Sequence, residues 1–319
     1  MSVGLGVCHL LWGKPWLPKR LSRSVYKYLA RRGSAPDFPF VTDFFGLEYH
    51  GNLNNNIDFN IWFYGAFEKP LLFFLRDTLR RLPGERPVFI DVGANVGQHS
   101  LFMAAHGARV HAFEPYSPVR EKLLLHIERN RLENIEVHPL ALGDRNARQT
   151  FFAPTGNNMG IGSFDANTVT RGNVSIGQLE LVEGDDYFRK RGIDTVDLIK
   201  IDVEGFEKPA LAGLRATLDR TRPVILCEIS YGTALSFSSA VELLRYLPAD
   251  YQLFTFDKRK ADGSKARRRD AHNRISGQYK LIPFECWRTG GQDDVVACPG
   301  EKAGLLPRKN MRGPGNDCA

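Results

Sequence analysis

A cluster of charge ends the apolar segment TVDLIKIDVEGFEKPAL, which covers residues 195–211. Lys200, Asp202 and Glu204 alternate with isoleucine and valine, so they project to one side if the strand persists that far. Burying such charges without partners is costly, so they must pair with one another or face a wet cleft. A carboxylate in a cleft can act as a general base, and a lysine can neutralise or orient its neighbours. The segment predicts an active-site edge; a structural Lys–acid network is the alternative.

A second chemical pattern is the segment VFIDVGANVGQHSLFMAA, which reads as strand, tight loop and helix. Glycines at the loop allow the backbone to turn and approach a ligand, and asparagine tolerates the left-handed conformation. A dinucleotide site requires GxGxxG, and the spacing here differs. The loop therefore favours S-adenosylmethionine over NAD, with a purely structural glycine turn as the alternative. The cofactor-binding residues predicted here are Asp91, Gly93, Ala94, Asn95 and Gly97.

Two further acids follow the next strands of the pattern. Glu114, in VHAFEP, can accept hydrogen bonds from both ribose hydroxyls of a nucleoside, although NAD would use the same interaction. Asp144, in EVHPLALGD, can accept from an adenine amino group. An aspartate beside glycine is also typical of a turn, so both interpretations of Asp144 stay open.

The elements that must position these residues alternate along the chain. Apolar strands are predicted at 88–92, 109–113, 135–140, 196–201, 224–229, 251–256 and 279–284. Helices are predicted at 97–106, 117–131, 207–218 and 236–247. This alternation predicts an α/β fold with a doubly wound, mostly parallel seven-stranded sheet, interrupted at residues 142–187.

The ends of the chain are predicted to differ from this core. We expect a basic N-terminal extension at residues 1–40, a domain at 41–290 with its core at 86–290, and a disordered tail at 291–319. The segment LEYHGNLNNNIDFNIWFYGAFE predicts two short strands around an asparagine-rich turn. Its aromatic residues at 62–64 either pack these strands or stack on a sugar.

Two segments are strongly basic. Residues 19–32 predict an amphipathic helix that either contacts an anionic membrane or glycan or packs on the main domain. Residues 257–274 form a basic insertion, either a landing site for an anionic polymer or a solvated loop. Neither segment suggests an aromatic platform for bases, so no specific nucleic-acid partner is expected.

The composition is that of an ordinary globular protein. The chain has 319 residues, 43% of them hydrophobic, and a formal net charge of +7, which permits an anionic partner without requiring one. Its five cysteines are scattered without a CxxC or Cys/His cluster, which favours a reducing, cytoplasmic location without structural zinc. No apolar run approaches the ~18 residues of a transmembrane helix.

Taken together, DVGANVG, FEP, ALGD and LIKIDVEGFE resemble the FkbM-type methyltransferase family. GAFE at residues 65–68, GIGS at 160–163 and the strand ILCEIS add to the resemblance, which runs from Phe44 to Phe284. The resemblance implies a class I fold, S-adenosyl-L-methionine as cofactor and O-methylation of a small-molecule or glycan acceptor, such as a saccharide, glycolipid or secondary metabolite. It does not cover 1–40 or 257–274.

Within this scheme the acids and the lysine receive roles. Asp202 is expected to hold the methionine ammonium or the acceptor hydroxyl, and Glu204 to act as the base, with Glu228 as the second candidate. Lys200 lowers the pKa of a neighbouring carboxyl or orients the acceptor, and His99 is an alternative base. The scheme requires no metal, although three acids at one site could bind Mg²⁺. Alternative functions are an NAD-dependent oxidoreductase, an RNA-modifying or nucleic-acid-binding protein, and a binding module without catalysis.

Overall fold

The computed structural model describes residues 3–155, 162–258 and 277–309. The described residues fall into two compact units that divide between Phe67 and Glu68. The sequence predicts an earlier boundary, at residue 40. The extent of the basic N-terminal extension therefore remains a prediction.

The first unit contains three helices and a hairpin among its described residues. These are α1 (Val3–Leu11), α2 (Lys19–Ala30), β1 (Pro39–Phe44), β2 (Leu47–Asn52) and α3 (Asn56–Tyr64), with β1 antiparallel to β2. The prediction of a second strand after the asparagine-rich turn is wrong, because α3 occupies that position. Asn55 caps this helix by accepting from the backbone amides of Ile57 at 2.9 Å and Asp58 at 3.3 Å, which satisfies two otherwise orphan donors.

The basic helix α2 uses one of its faces inside the first unit. Tyr26 and Leu29 are buried. Three cations spaced four residues apart lie 5.1–5.4 Å from the ring centroids of α3, pairing Lys19 with Trp62, Arg23 with Tyr64 and Lys27 with Phe59. Cations over aromatic faces stabilise helix packing. This geometry favours packing as the role of α2, and the contact of 19–32 with a membrane or glycan remains a prediction.

The second unit begins with helix α4 (Lys69–Leu79) and then alternates strands and helices. Its first half contains β3 (Val88–Val92), α5 (Gln98–Ala105), β4 (Arg109–Phe113), α6 (Ser117–Asn130), β5 (Ile135–His138), β6 (Ala141–Gly143), β7 (Ala147–Pro154) and β8 (Asn173–Glu183). Its second half contains α7 (Gly184–Arg191), β9 (Leu198–Ile201), α8 (Glu207–Ala212), α9 (Arg215–Thr221), β10 (Val224–Tyr231), α10 (Ala240–Arg245), β11 (Tyr251–Phe256), β12 (Leu281–Pro283) and β13 (Gly291–Pro299).

The main sheet has the strand order β12-β11-β13-β10-β9-β3-β4-β5. The five strands from β10 to β5 run parallel, and β13 is antiparallel to both β10 and β11. Every residue of β3 and β9 is buried, as expected for central strands covered by helices on both faces. The predicted α/β fold with a doubly wound, mostly parallel sheet is confirmed, with eight strands among the described residues instead of seven.

The predicted disordered tail is wrong for residues 291–299. These residues form β13, which pairs with β10 from Ile225↔Ala297 to Tyr231↔Gly291 and fills the space between β10 and β11. The run Val295–Cys298 is buried, so burial of apolar side chains stabilises the strand. The strand predicted at 279–284 is instead the short edge strand β12.

The interruption predicted at 142–187 is a smaller sheet with the order β6-β8-β7. Part of its connecting loop, at 156–161, lies outside the described residues, as does the basic insertion from residue 259 onward. Over the described ranges, no helix combines the length and the apolar character needed to cross a bilayer.

Candidate active site

The carboxyl ends of β3, β9 and β10 meet at one edge of the main sheet. The three strands run parallel, with β9 between β3 and β10. Lys200 of β9 lies beside Asp91 of β3 on one side and beside Leu226 of β10 on the other. In open α/β sheets, ligands bind outside this edge. The local sequence therefore delivers the acids of three strands to the position where a small molecule binds.

Lys200 joins two of the predicted residues. Its Nζ donates to Asp202 Oδ2 at 3.0 Å and lies 3.9 Å from Asp91 Oδ1, with 5% of its side chain exposed. Burial opposes the charge, but the Asp202 and Asp91 carboxylates outweigh it and raise the pKa of Lys200. Lys200 is therefore a buried ammonium paired with acids, and the charged end of β9 is satisfied partly by its own residues.

Asp91 is fully buried at the end of β3. Its Oδ2 accepts from Ser100 Oγ at 2.6 Å, whereas Oδ1 has no hydrogen-bond partner among the described residues. Burial raises the pKa of Asp91, against the opposing influence of Lys200. A buried carboxylate oxygen without a donor is costly unless a ligand supplies one. Asp91 can therefore accept from a bound group.

The glycine loop after β3 has the geometry that its sequence predicts. Gly93, Asn95 and Gly97 have φ values of 81°, 55° and 86°, all in the left-handed region. A Cβ on Gly93 would lie 2.0 Å from the backbone oxygen of Asp202, and one on Gly97 would lie 2.2 Å from Leu123 Cδ1. Both positions exclude a side chain, so the loop packs directly on the end of β9 at Gly93 and on α6 at Gly97.

Glu114 at the end of β4 holds the same loop from the other side. Its Oε2 accepts from the Asn95 amide at 2.8 Å, and its Oε1 accepts from the Tyr116 amide at 2.9 Å. Burial raises the pKa of Glu114 to about 7, although these amides oppose the shift. Each oxygen retains a lone pair, so Glu114 can still accept from the hydroxyls of a ligand.

A cluster of five carboxyl groups lies beside this loop. Oxygens of Asp202, Glu204 and Glu228 lie within 4.8 Å of one another, and so do oxygens of Glu68, Glu228 and Asp294. Glu228 belongs to both groups. Burial raises the pKa of Glu228 well above its ordinary value, and Asp202, Asp294, Glu68 and Glu204 raise it further. A carboxyl in such surroundings retains its proton to higher pH, so the cluster can hold and exchange protons.

Lys258 supplies a second cation to this acidic cluster. It pairs with Asp294 in β13. Burial, together with Asp294, raises the pKa of Glu68 to about 7, while Lys258 opposes the shift. The cluster therefore balances its negative charge with two lysines, Lys200 on one side and Lys258 on the other.

Glu204 is fixed by contacts from two other elements. Its Oε2 accepts from Gln292 Nε2 at 3.1 Å, and its backbone oxygen accepts from Ser163 Oγ at 2.7 Å. Glu204 itself has a φ of 49°, and Glu68 has a φ of 46°. Left-handed conformations in residues with a Cβ cost free energy and concentrate at functional sites.

Two predicted residues have other surroundings. His99 is buried in the first turn of α5, and its Nε2 has no hydrogen-bond partner among the described residues. Burial and the nearby Lys200 hold the pKa of His99 well below its ordinary value, so it is a neutral imidazole. Asp144 is exposed on the turn after β6 and pairs with Arg145 at 3.1 Å. It is not one of the residues that the strand ends bring together.

The sequence interpretation missed several members of the site. Glu68 lies in the GAFE motif, which carried the family resemblance without a role. Gln292 and Asp294 lie in β13, within the segment predicted as a tail. Their polar side chains just before the apolar run VVAC were the available signal, since they occupy the end of a strand.

Comparison with known proteins places this geometry in context. Residues 91–256 match the model of the methyltransferase FkbM domain. Three curated proteins are similar over about half of the chain or slightly less. The chain is 30% identical over 185 residues to the 31-O-demethyl-FK506 methyltransferase FkbM of Streptomyces tacrolimicus, a match that covers 48% of this chain and 68% of that protein.

The other two relatives are more distant. The 2-O-methyltransferase NoeI of Sinorhizobium fredii is 26% identical over 164 residues, covering 46% of this chain and 65% of NoeI. The AMB antimetabolite synthetase AmbE of Pseudomonas aeruginosa is 28% identical over 174 residues, covering 44% of this chain and 8% of AmbE. The chain thus spans less than two thirds of the length of two of these three proteins.

Proposed function

The chain belongs to the methyltransferase FkbM domain family, and we propose that it transfers a methyl group from S-adenosyl-L-methionine to the oxygen of an acceptor hydroxyl. The observation that carries the proposal is the juxtaposition of the glycine loop with the carboxyl groups of Asp202, Glu204 and Glu228, whose oxygens lie within 4.8 Å of one another. A cofactor held by the loop would have proton acceptors next to it.

The residues around the loop fit this cofactor. The Oδ1 of Asp91, buried without a donor, suits the methionine ammonium, as does the half-buried Asp202. Glu114 suits the ribose hydroxyls, because its oxygens retain acceptor capacity beside the Asn95 amide. Gly93 allows the loop to approach the backbone of Asp202 closely, which holds the loop beside the carboxyl groups that follow β9. The adenine contact predicted for Asp144 has the weakest support, since that residue is exposed.

The cofactor supplies a methyl group that is already activated on a sulfonium, so the chain has to position the acceptor and remove its proton. Glu204 is the proposed base, since Gln292 and Ser163 fix it at the tip of β9. The surroundings of Glu228 raise its pKa, so its ionised form binds a proton tightly and, at a pH above that pKa, can receive the proton from Glu204 after transfer. Lys200 donates to Asp202 Oδ2 at 3.0 Å and so fixes the orientation of this carboxyl group.

The proposed acceptor is a hydroxyl of a saccharide, glycolipid or secondary metabolite. Two relatives support this class through their names, one acting on 31-O-demethyl-FK506 and one being a 2-O-methyltransferase. The acidic cluster supports it independently, because several carboxylates can accept from the many hydroxyl donors of a polyol. The same cluster repels anionic acceptors such as phosphorylated nucleotides.

Calorimetry tests the cofactor assignment. The protein is titrated separately with S-adenosylhomocysteine, with NAD and with a generic RNA. We expect saturable binding of S-adenosylhomocysteine alone. Binding of NAD without S-adenosylhomocysteine would instead favour an oxidoreductase and overturn the proposal. Transfer of radiolabelled methyl groups to a panel of glycans and polyhydroxylated metabolites then tests the acceptor class.

A further inference from the structure

A second group of ligating side chains lies outside the active site, on strands β4 and β5. His111 and Glu136 are opposite each other in the parallel register, and His138 is two residues further along β5. His111 Nδ1 lies 3.1 Å from His138 Nε2 and 3.5 Å from Glu136 Oε2. All three ligand atoms lie within 4.8 Å of one another. Both imidazoles are buried, whereas Glu136 is 38% exposed.

The two separations from His111 Nδ1 match those of ligands around one tetrahedral metal ion. Zinc binds imidazole nitrogen and carboxylate oxygen at about 2.0–2.2 Å, which places two ligand atoms about 3.3 Å apart. The measured 3.1 Å and 3.5 Å lie on either side of that value. Two histidines and a glutamate form a ligand set that proteins use for zinc, with a fourth position left for water. The exposure of Glu136 gives that position access to solvent.

Each of two ligands also has a partner that fixes its orientation. His138 Nδ1 lies 3.0 Å from the Tyr187 hydroxyl, so its other nitrogen, Nε2, is directed at His111. Glu136 uses its Oε1 to pair with Arg191, which leaves Oε2 directed at His111. Metal-binding histidines and carboxylates usually have such outer partners, which set the tautomer and the ring orientation. If the two buried histidines only paired with each other, nothing would require the Glu136 carboxylate to point at the same place.

We propose that His111, Glu136 and His138 bind one divalent transition-metal ion of the zinc type. The ion joins β4 to β5 and, through Tyr187, to helix α7. It also supports the cofactor side of the sheet, because the Glu114 amide donates to the His138 carbonyl at 3.1 Å. The site is independent of the proposed methyl transfer, since none of its ligands belongs to the acidic cluster.

Metal uptake by the whole chain tests this proposal. The chelator-treated protein is dialysed against Zn²⁺ and analysed for bound metal, and a parallel sample with Co²⁺ is examined by visible absorption. We expect about one ion per chain, four-coordinate cobalt bands, and X-ray absorption that shows two imidazole ligands. At one hundred times the dissociation constant, Zn²⁺ should raise the melting temperature by roughly 5 °C or more. Failure of the wild-type protein to take up stoichiometric metal would overturn the proposal.

Variants locate the ion. Glu136→Gln, at a partly exposed position, and His138→Gln should each lose stoichiometric zinc, and Tyr187→Phe should weaken binding about tenfold. His50→Gln is the matched control, because His50 also lies beside a glutamate, at 2.6 Å from Glu48, but in the first unit. It should bind zinc normally. Retention of zinc in Glu136→Gln contradicts the proposal, and loss in Glu228→Gln assigns the ion to the carboxyl cluster instead. If His138→Gln does not fold, Glu136→Gln and the wild-type absorption spectrum decide.

Discussion

Glu204 at the tip of β9 accepts a hydrogen bond from Gln292 of β13 at 3.1 Å. The two residues are 88 positions apart in the chain. The contact orients the Glu204 carboxylate from the side opposite the glycine loop, while Ser163 fixes its backbone. The antiparallel strand therefore contributes directly to the position of the proposed base.

Replacing Glu204 by glutamine should separate binding from transfer. Glu204→Gln removes the proton acceptor while keeping the size of the side chain, so methyl transfer should fall about 10²- to 10⁴-fold. Affinity for S-adenosylhomocysteine, measured by calorimetry, should stay within about twofold of wild type. Glu180→Gln, at an exposed position on β8, serves as the control and should transfer normally. Undiminished single-turnover transfer in Glu204→Gln would remove this residue as the base.

Gly93→Ala should be strongly destabilising. The new Cβ would lie 2.0 Å from the Asp202 backbone oxygen at a φ of 81°, so strain and a clash add. We expect a loss of about 3 kcal/mol in the free energy of unfolding and loss of cofactor binding. Gly107→Ala is the matched control, because Gly107 has a φ of 92° with no atom within 4 Å of the new Cβ. The free energy of unfolding of both variants is measured by urea titration. Gly107→Ala should lose only about 1 kcal/mol, which is the conformational strain alone.

Lys200→Met should lower the free energy of unfolding, because this lysine neutralises neighbouring acids. The ammonium is 5% exposed and pairs with Asp202 at 3.0 Å, so its removal leaves buried carboxyl groups without a cation. We expect a loss of about 3 kcal/mol in unfolding free energy at pH 7. The loss should shrink at pH 5, because burial already raises the pKa of Asp91 and protonation relieves the unpaired charge. Lys190→Met, 66% exposed, should change stability by less than about 1 kcal/mol at either pH.

Glu114 should make cofactor affinity depend on pH. Burial raises its pKa to about 7, and only the ionised form can accept from both ribose hydroxyls. Affinity for S-adenosylhomocysteine should therefore fall as pH decreases from 8 to 6, by up to about tenfold per unit below the pKa. In Glu114→Gln the affinity should be lower and this dependence weaker. A wild-type affinity that is constant between pH 8 and 6 would contradict the role of Glu114.

Glu228→Gln should stabilise the protein while reducing transfer. The folded-state pKa of Glu228 lies above its unfolded value because of burial and neighbouring acids. The folded state therefore binds the proton more tightly, and the stability that this proton provides is lost as pH rises above about 4.5. Glutamine resembles the protonated form, so the variant should gain about 1 kcal/mol or more at pH 8 and less at pH 5. Glu285→Gln, at an exposed site, should show no such difference.

Local patterns predicted the part of the site that depends on one strand and its loop. The run before Asp91, the glycines and the left-handed Asn95 all agree with the structure, because each depends on neighbours in sequence. The end of β9 agrees only in part, because the strand stops at Ile201 and Glu204 lies beyond it in a left-handed turn. The motif ALGD predicted a cofactor contact for Asp144, but the turn after β6 leaves its side chain exposed.

Long-range pairing explains what the sequence did not predict. Glu68, Glu228 and Asp294 converge through three separate elements, and no spacing in the chain reports that convergence. The expectation of no structural zinc rests on the absence of a CxxC or Cys/His cluster in the sequence, and it stays a prediction. His111 and His138 are brought together by the parallel register of β4 and β5, 27 residues apart in sequence.

The position of β13 also sets the order in which this sheet can be completed during synthesis. The strand comes last among the strands of the described residues, yet it lies between β10 and β11. Until residues 291–299 leave the ribosome, both neighbours present unpaired edges that can capture another chain. A nascent chain must therefore keep the open edges of β10 and β11 apart from other molecules. Termination of synthesis before residue 291 would leave both edges unpaired permanently.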